Sequence, residues 1–411
     1  MKITDLKARI CYNSRGEKSI EVDVIIDDKY IGRAASPSGA STGKHEAVSF
    51  PKNVEDSLSL LLSNKNRFIG LDPSKEDTIY QALKSIDNTD NYSIIGGSIA
   101  YAVSIAAADS ASKALSLPLF QLIGKSLNNN TDYKFPYPLG NVLGGGAHAG
   151  PGTPDIQEFL IVPVGARNIR DALETNFRIH KAVREAIKKR DKDFTFGRGD
   201  EGAWAPKMNN EEAIKVVEEA IKDSGYVFRK DVAIGIDFAS SSLWKDPFYI
   251  YARSDKKRDR REQIEYVSAL IRDYKLIYAE DPVHEEAFDD MRELTSRFPD
   301  VYITGDDLLV TNKERLRRAI EEKSCNAAIL KVNQAGSLYD AILFAGDANR
   351  NNIRIVTSHR SGESIDAHIA HIAIATNSKM LKAGVVGGER IAKLNELIRI
   401  NEEYALPLTS L

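Results

Sequence analysis

Five apolar, strand-like runs in the second half of the chain each deliver a charged side chain at their C-terminal end, and this series narrows the folds open to it. The runs are residues 232–236 before Asp237, 275–279 before Glu280, 301–305 before Asp306, 327–330 before Lys331, and 353–357 before Ser358-His359-Arg360. Successive charged ends lie about 25 to 43 residues apart, which in most cases suits one strand, one helix and two loops. A parallel barrel gathers the C-terminal ends of its strands around one mouth. Three carboxylates, a lysine and a His-Arg pair are therefore expected to meet there.

Helical patterns fall between the runs, at residues 262–274, 285–298, 313–322, 336–349 and 389–403, as α/β architecture requires. The start of the chain differs. Ile20, Val22, Val24 and Ile26 alternate with Glu21, Asp23 and Ile25, which predicts an antiparallel sheet over about the first 35 residues. A small-residue loop, residues 36–43, and helical patterns over roughly 52–115 follow. Pro118, then Pro136 and Pro138 around a polar stretch, mark a boundary. The expected organisation is an α+β capping domain over residues 1–130 and an α/β barrel over 131–411, with the smaller domain able to lean over the barrel mouth.

At 411 residues the chain has room for both, since such a barrel takes about 250. Its 42% hydrophobic and 28% charged residues, with a net charge of -3, describe a soluble globular protein with no nucleic-acid or membrane surface. Residues 94–108 are too short and too interrupted by Gly, Ser and Tyr to span a bilayer. Met1-Lys2-Ile3-Thr4-Asp5 lacks a signal-peptide core. Cys11 and Cys325 stand far apart with no C-x-x-C pattern, which argues against structural zinc or a disulfide framework and for a reducing cytosol.

Asp237, Glu280 and Asp306 offer hard oxygen ligands on successive strands, a set that suits Mg²⁺ better than zinc because no Cys or His joins them. Singly, each could be a helix cap. Lys331 ends a buried strand beside them; the alternatives are a base or a lysine paired with a barrel acid. As a base it must be neutral, which asks an ordinary pKa near 10.4 to fall by about 3, roughly 4 kcal/mol. A divalent ion and a second lysine, Lys382, are expected to supply that. Glu201, in the glycine-rich segment 194–206, is a candidate general acid. Glu158 is a second, and neighbouring carboxylates can keep one of the two protonated. Arg360 offers a fork for a phosphate. Ser38 to Lys44 is superficially like a Walker loop but fails the spacing, and His45 stands where Ser or Thr is needed. His180, His284, His368 and His371 read as surface or packing histidines.

These segments together resemble the enolase family: residues 38–43, the His148 segment, Gln157-Glu158-Phe159, Gly199-Asp200-Glu201-Gly202, Asp237-Phe238-Ala239-Ser240-Ser241, Glu280-Asp281-Pro282, Asp306-Asp307-Leu308, Leu330 to Gln334, Ser358 to Glu363, and Glu389-Arg390 through Leu397. The resemblance implies a barrel with irregular first strands and an N-terminal cap, and a hydro-lyase of glycolysis that interconverts 2-phosphoglycerate and phosphoenolpyruvate. A Lys or His base with one or two Mg²⁺ ions is the pattern known for that superfamily. Carried over, Lys331 removes the C2 proton, Asp237, Glu280 and Asp306 hold the first of two Mg²⁺, and Glu201 with Glu158 assists loss of the C3 hydroxyl. Lys382 meets the substrate carboxylate, Arg360 and Ser361 the phosphate, and Ser41 the second Mg²⁺. His148 and His359 line the pocket, and Gln157 supports the metal ligands. A cytoplasmic homodimer or larger homo-oligomer is implied, with Glu21 and Arg399 meeting across an interface.

The chain departs from the family pattern at Asn13-Ser14-Arg15-Gly16-Glu17-Lys18, in the longer His148 to Glu158 spacing with Pro151 and Pro154, and after Lys382, where a Thr is usual. Every catalytic residue type is retained. Two other readings remain at this point: a superfamily paralogue acting on another carboxylate, and a non-catalytic binding protein on the same scaffold.

Overall fold

The computed structural model describes residues 1–40, 43–127 and 132–411. Strands β1 (Ile3–Tyr12), β2 (Lys18–Ile26) and β3 (Tyr30–Ala35) form an antiparallel sheet in that order. The predicted alternation is realised, with Ile20, Val22, Val24 and Ile26 wholly buried. Each such side chain contributes about 1.5–3 kcal/mol relative to exposure. Their face packs against the helix Gly97–Leu115, whose Ala, Ser and Gly residues let backbone approach backbone closely. Helices Val54–Asn64 and Glu76–Lys84 complete the region predicted to be helical.

The rest closes into a barrel. Its strands are β4 (Tyr137–Gly144), β5 (Glu158–Val162) and β6 (Ala233–Asp237), then, after a small sheet of β7 (Trp244–Lys245), β8 (Phe248–Tyr251) and β9 (Lys256–Arg258), β10 (Tyr278–Glu280), β11 (Tyr302–Gly305), β12 (Ala327–Leu330), β13 (Arg354–Ser358) and β14 (Met380–Lys382). The closed order is β10-β11-β12-β13-β14-β4-β5-β6. All five predicted runs are barrel strands. Strand β5 alone runs antiparallel to both neighbours, because the β4–β5 connection holds only the short helix Gly146–Ala149 and cannot make a full helical crossover.

This reversal positions the site. In a parallel strand the C-terminal residue reaches the mouth, whereas β5 brings its first residue there. Glu158 consequently pairs in register with Asp237, and Asp237 with Glu280. Below them the barrel is plugged by Leu139, Leu160, Tyr278, Ile329, Val356 and Met380. Predicted helices recur with shifted ends. The one expected over 262–274 spans Arg260–Asp273, because Asp259 caps it and Glu262 completes a reciprocal capping box. The one expected from 285 begins at Phe288, and the turn before it sends Glu285 to the barrel mouth. Among the described residues no helix is long and apolar enough to cross a membrane.

Candidate active site

A cavity of about 340 Å³ opens at the strand ends, and Asp237, Asp306, Lys331, Lys382, Glu158 and Glu201 all line it. At its floor the Lys382 ammonium lies 2.9 Å from Asp237 Oδ2, 2.8 Å from Glu280 Oε2 and 3.3 Å from Glu158 Oε2. Burial alone would depress this lysine, but the surrounding carboxylates, Asp237 foremost, hold its pKa well above the ordinary value. Gln157 donates from Nε2 to Asp237 Oδ2 at 3.3 Å, so the amide supports an acid as the resemblance implied.

Lys331 donates to Asp306 Oδ2, while Asp306 Oδ1 accepts from Gln334 Nε2 at 3.3 Å. To act as a base, Lys331 must have a depressed pKa. Burial, the largest single influence, acts downward together with Arg360 and Lys382, yet the Asp306 and Glu280 charges combined leave the net shift upward. In this arrangement Lys331 is a charged partner of a barrel acid, the alternative left open for it. The same contact carries Asp306 below the usual carboxylate range despite its burial.

Across the cavity, the short helix Gly146–Ala149 brings His148 Nδ1 within 3.5 Å of Glu158 Oε1 and 3.7 Å of Glu201 Oε1, ion-pair distances rather than good hydrogen bonds. Gly199 permits this, since a Cβ there would lie 2.3 Å from the His148 carbonyl oxygen. The segment 194–206 contains no barrel strand; it is a series of turns that holds Glu201 over the mouth. Glu201 Oε2 also faces His359 Nε2 at 3.2 Å. Arg390 Nη1 donates to His359 Nδ1 at 2.9 Å, which fixes the ring proton on Nε2. Burial pushes His359 down to about 4, whereas the Glu201 and Glu158 charges outweigh burial at His148 and raise it to about 9.

The two carboxyls are thereby driven apart. Burial and the Glu201 charge lift Glu158 to about 7, while Glu201, though buried, is held well below its ordinary value by the two imidazoles. Of the two carboxyls, Glu158, the second of the two sequence candidates, is the one more readily protonated. A protonatable acid beside an ionised one can protonate a leaving group, and the lysine on the far wall can deprotonate a carbon once the Asp306 charge no longer holds its proton.

Arg360 and Ser361 are at the rim of the same cavity, already engaged with the N-terminal region. The Arg360 guanidinium donates to Glu46 Oε2 at 3.2 Å and to Asn333 Oδ1 at 3.0 Å, and Ser361 Oγ accepts from the Ala40 amide at 2.6 Å. Ser41 lies outside the described residues. Sequence reasoning missed three residues here. Glu46 also accepts from the Gly43 amide at 2.8 Å and so ties the 38–44 loop to Arg360. Arg390, wholly buried, donates to the Arg360 and Ser361 carbonyls and thus pins the His359–Ser361 turn. Asp281 accepts from the Asp306 and Asp307 amides and sets the Asp306 turn. The acid doublets Glu280-Asp281 and Asp306-Asp307 were a visible signal for the last; nothing local marked Glu46.

Asp237, Glu280 and Asp306 fit a hard cation by donor type and by charge. Glu280 Oε1 is buried with no hydrogen-bond partner among the described residues. Burial and neighbouring negative charge push Glu280, Asp281 and Asp307 upward, the last to about 7, as expected where buried carboxylates outnumber the cations beside them. Asp237 and Glu280 share Lys382, whereas Asp306 is paired with Lys331. The compact acid groupings among the described residues are His148, Glu158 and Glu201, and Asp281, Asp306 and Asp307.

Comparison with known proteins identifies the family. Residues 132–407 match the family model "Enolase, C-terminal TIM barrel domain" and residues 3–123 match "Enolase, N-terminal domain". The chain is 44% identical to the enolase of Methanosphaera stadtmanae, with 98% of each chain covered. It is 43% identical to that of Methanothermobacter thermautotrophicus, over 98% of this chain and 96% of the relative. The figures for the enolase of Pyrobaculum aerophilum are 39%, 98% and 97%. Both family models are matched in order and the relatives align almost end to end, so the chain belongs to the enolase family.

Proposed function

We propose that the protein catalyses the reversible dehydration of 2-phosphoglycerate to phosphoenolpyruvate, as a carbon–oxygen lyase of glycolysis and gluconeogenesis. The observation that carries this reading is that Lys331 and Glu158 come from β12 and β5, diametrically opposed in the eight-strand order, and face one cavity. An elimination needs a base on one side of the substrate and an acid on the other. Lys331 takes the C2 proton, and the electron pair of the C2–H bond becomes the C2=C3 bond. The C3 hydroxyl departs as water with a proton delivered from the Glu158–Glu201 pair.

Lys382 pairs with the substrate carboxylate, and Arg360 with Ser361 receives the phosphate. His148 and His359 line the pocket and fix the proton balance of the acid pair, and Gln157 orients Asp237. Asp237, Glu280 and Asp306 would hold Mg²⁺, and a second ion would be drawn to the Ser41 loop. Bound there, a divalent cation supplies positive charge against the substrate carboxylate and the charge that builds on it. Support comes from the oxygen-only donor set and the unpartnered Glu280 Oε1.

The chain is read as a capping domain over residues 1–130 and a barrel over 131–411. It acts in the cytoplasm as a homodimer or larger homo-oligomer. Within one chain Arg399 is largely exposed and, among the described residues, pairs with Glu396 at 2.6 Å, which leaves it accessible to Glu21 of a second copy.

The test is the ultraviolet absorbance of phosphoenolpyruvate formed from 2-phosphoglycerate by purified protein, with Mg²⁺ and with chelator. Turnover that needs the metal supports the reading. A folded protein that binds Mg²⁺ but does not turn over this substrate overturns it in favour of a paralogue with another substrate.

A further inference from the structure

Beneath the acid cage, the plug of the barrel contains a side chain that is not simply apolar filling. Tyr278 stands two residues before Glu280 on β10, so both side chains point into the barrel. Tyr278 is wholly buried, and its hydroxyl donates to Glu280 Oε2 at 2.6 Å. The same oxygen accepts from Lys382 Nζ at 2.8 Å. Glu280 Oε1 is left without a partner among the described residues. The ring is accommodated by its registered neighbour on β6: a Cβ on Gly235 would lie 2.9 Å from Tyr278 Cβ. Tyr302, another tyrosine of the same plug, has a buried hydroxyl with no hydrogen-bond partner among the described residues.

We propose that Tyr278 is a positioning residue for the metal site: with Lys382 it holds Glu280 Oε2, so that the carboxylate cannot rotate and Oε1 is presented to the cation, in a space that Gly235 keeps open. The inference rests on the proposed Mg²⁺ role of Glu280. Partners that orient a ligand matter nearly as much as the ligand, and their loss typically weakens metal binding about 10- to 100-fold.

The experiment is Mg²⁺ titration of the full-length protein by isothermal calorimetry, for the wild type, Tyr278→Phe and Tyr302→Phe, each with a thermal melt in chelator. Phenylalanine keeps the ring at both positions and removes only the hydroxyl. The expected result is a rise of about tenfold in the Mg²⁺ dissociation constant for Tyr278→Phe. Tyr302→Phe should bind as the wild type does, and all three proteins should melt cooperatively in chelator. Unchanged affinity in Tyr278→Phe overturns the positioning role while leaving the hydratase reading intact. Equal weakening in both variants also overturns it, because the effect would then belong to the packing of the plug. A wild type that neither binds Mg²⁺ nor turns over 2-phosphoglycerate defeats the underlying reading, a separate and recognisable outcome.

Discussion

Lys331 Nζ is hydrogen-bonded to Asp306 Oδ2, so the proposed base and a proposed metal ligand are each other's partners. Asp306 is the main upward influence on the Lys331 pKa; burial, Arg360 and Lys382 act downward. Wherever the Asp306 charge is drawn to a cation, only Glu280 among the leading influences still opposes neutral Lys331. The ion pair is therefore the restraint that keeps the base protonated, and its strength is set by what else Asp306 binds.

Replacing Lys331 by Ala removes the base but no proposed cation ligand. Turnover is expected to fall by about 10²–10⁴-fold, the usual contribution of general acid–base catalysis. Mg²⁺ binding, followed by calorimetry, should persist. Retained turnover in the variant would remove Lys331 from the base role.

Glu158 and Glu201 share His148, and each perturbs the other's proton affinity. Groups that act as a unit are not additive on removal. Glu158→Gln and Glu201→Gln should each lower kcat by about 10²–10⁴-fold. The double variant should be no worse than the more damaged single. Losses that multiply in stopped-flow or steady-state rates would mean that the two carboxyls work independently.

Legibility in the sequence tracks range. Asp237, Glu280, Asp306 and Lys331 could be read because each follows a strand-length apolar run, and the topology of a parallel barrel does the rest. Glu158 was found, but the reversal of β5 that brings it beside Asp237 was not visible from local pattern; it depends on a connection too short for a helical crossover. Glu46 reaches Arg360 across 314 residues, and no periodicity in either segment announces that pairing. Arg390 read as part of a helix because its surroundings are helical, although its guanidinium is spent on backbone carbonyls of the His359–Ser361 turn. Tyr278 and Gly235 look like ordinary strand residues until register sets them side by side. The fold was thus legible through strand spacing, and the site through its acids; the residues that orient those acids depend on tertiary contacts.

Arg360 serves Glu46 and Asn333 at once through its planar fork. Lysine offers a single point charge and cannot reproduce that geometry. Arg360→Lys should raise KM for 2-phosphoglycerate at least about tenfold, a loss of roughly 1.4 kcal/mol of binding. It should also lower the melting temperature, since the Glu46 carboxylate, buried with it, loses part of its pairing. Michaelis kinetics and a thermal melt check both, and an unchanged KM would remove Arg360 from the phosphate subsite.

His180 provides the clearest pH signature. Its Nε2–H donates to the Gly202 carbonyl at 2.9 Å, Trp204 Nε1 donates to the His180 carbonyl at 2.8 Å, and the centres of the His180 and Trp204 rings lie 4.8 Å apart, so His180 braces the turn that carries Glu201. Burial pushes its pKa down to about 4, against about 6.5 in an unfolded chain. Between those values the unfolded chain binds a proton that the fold excludes. Stability from this group is complete above pH 6.5 and falls as pH drops towards 4, by about 2 kcal/mol between pH 7.5 and pH 5. Phenylalanine cannot titrate. His180→Phe should start less stable at pH 7.5, having lost a buried hydrogen bond, and then lose about 2 kcal/mol less than the wild type on acidification to pH 5. Urea midpoints at the two pH values measure this difference, and parallel losses in the two proteins would show that His180 is not held neutral by the fold.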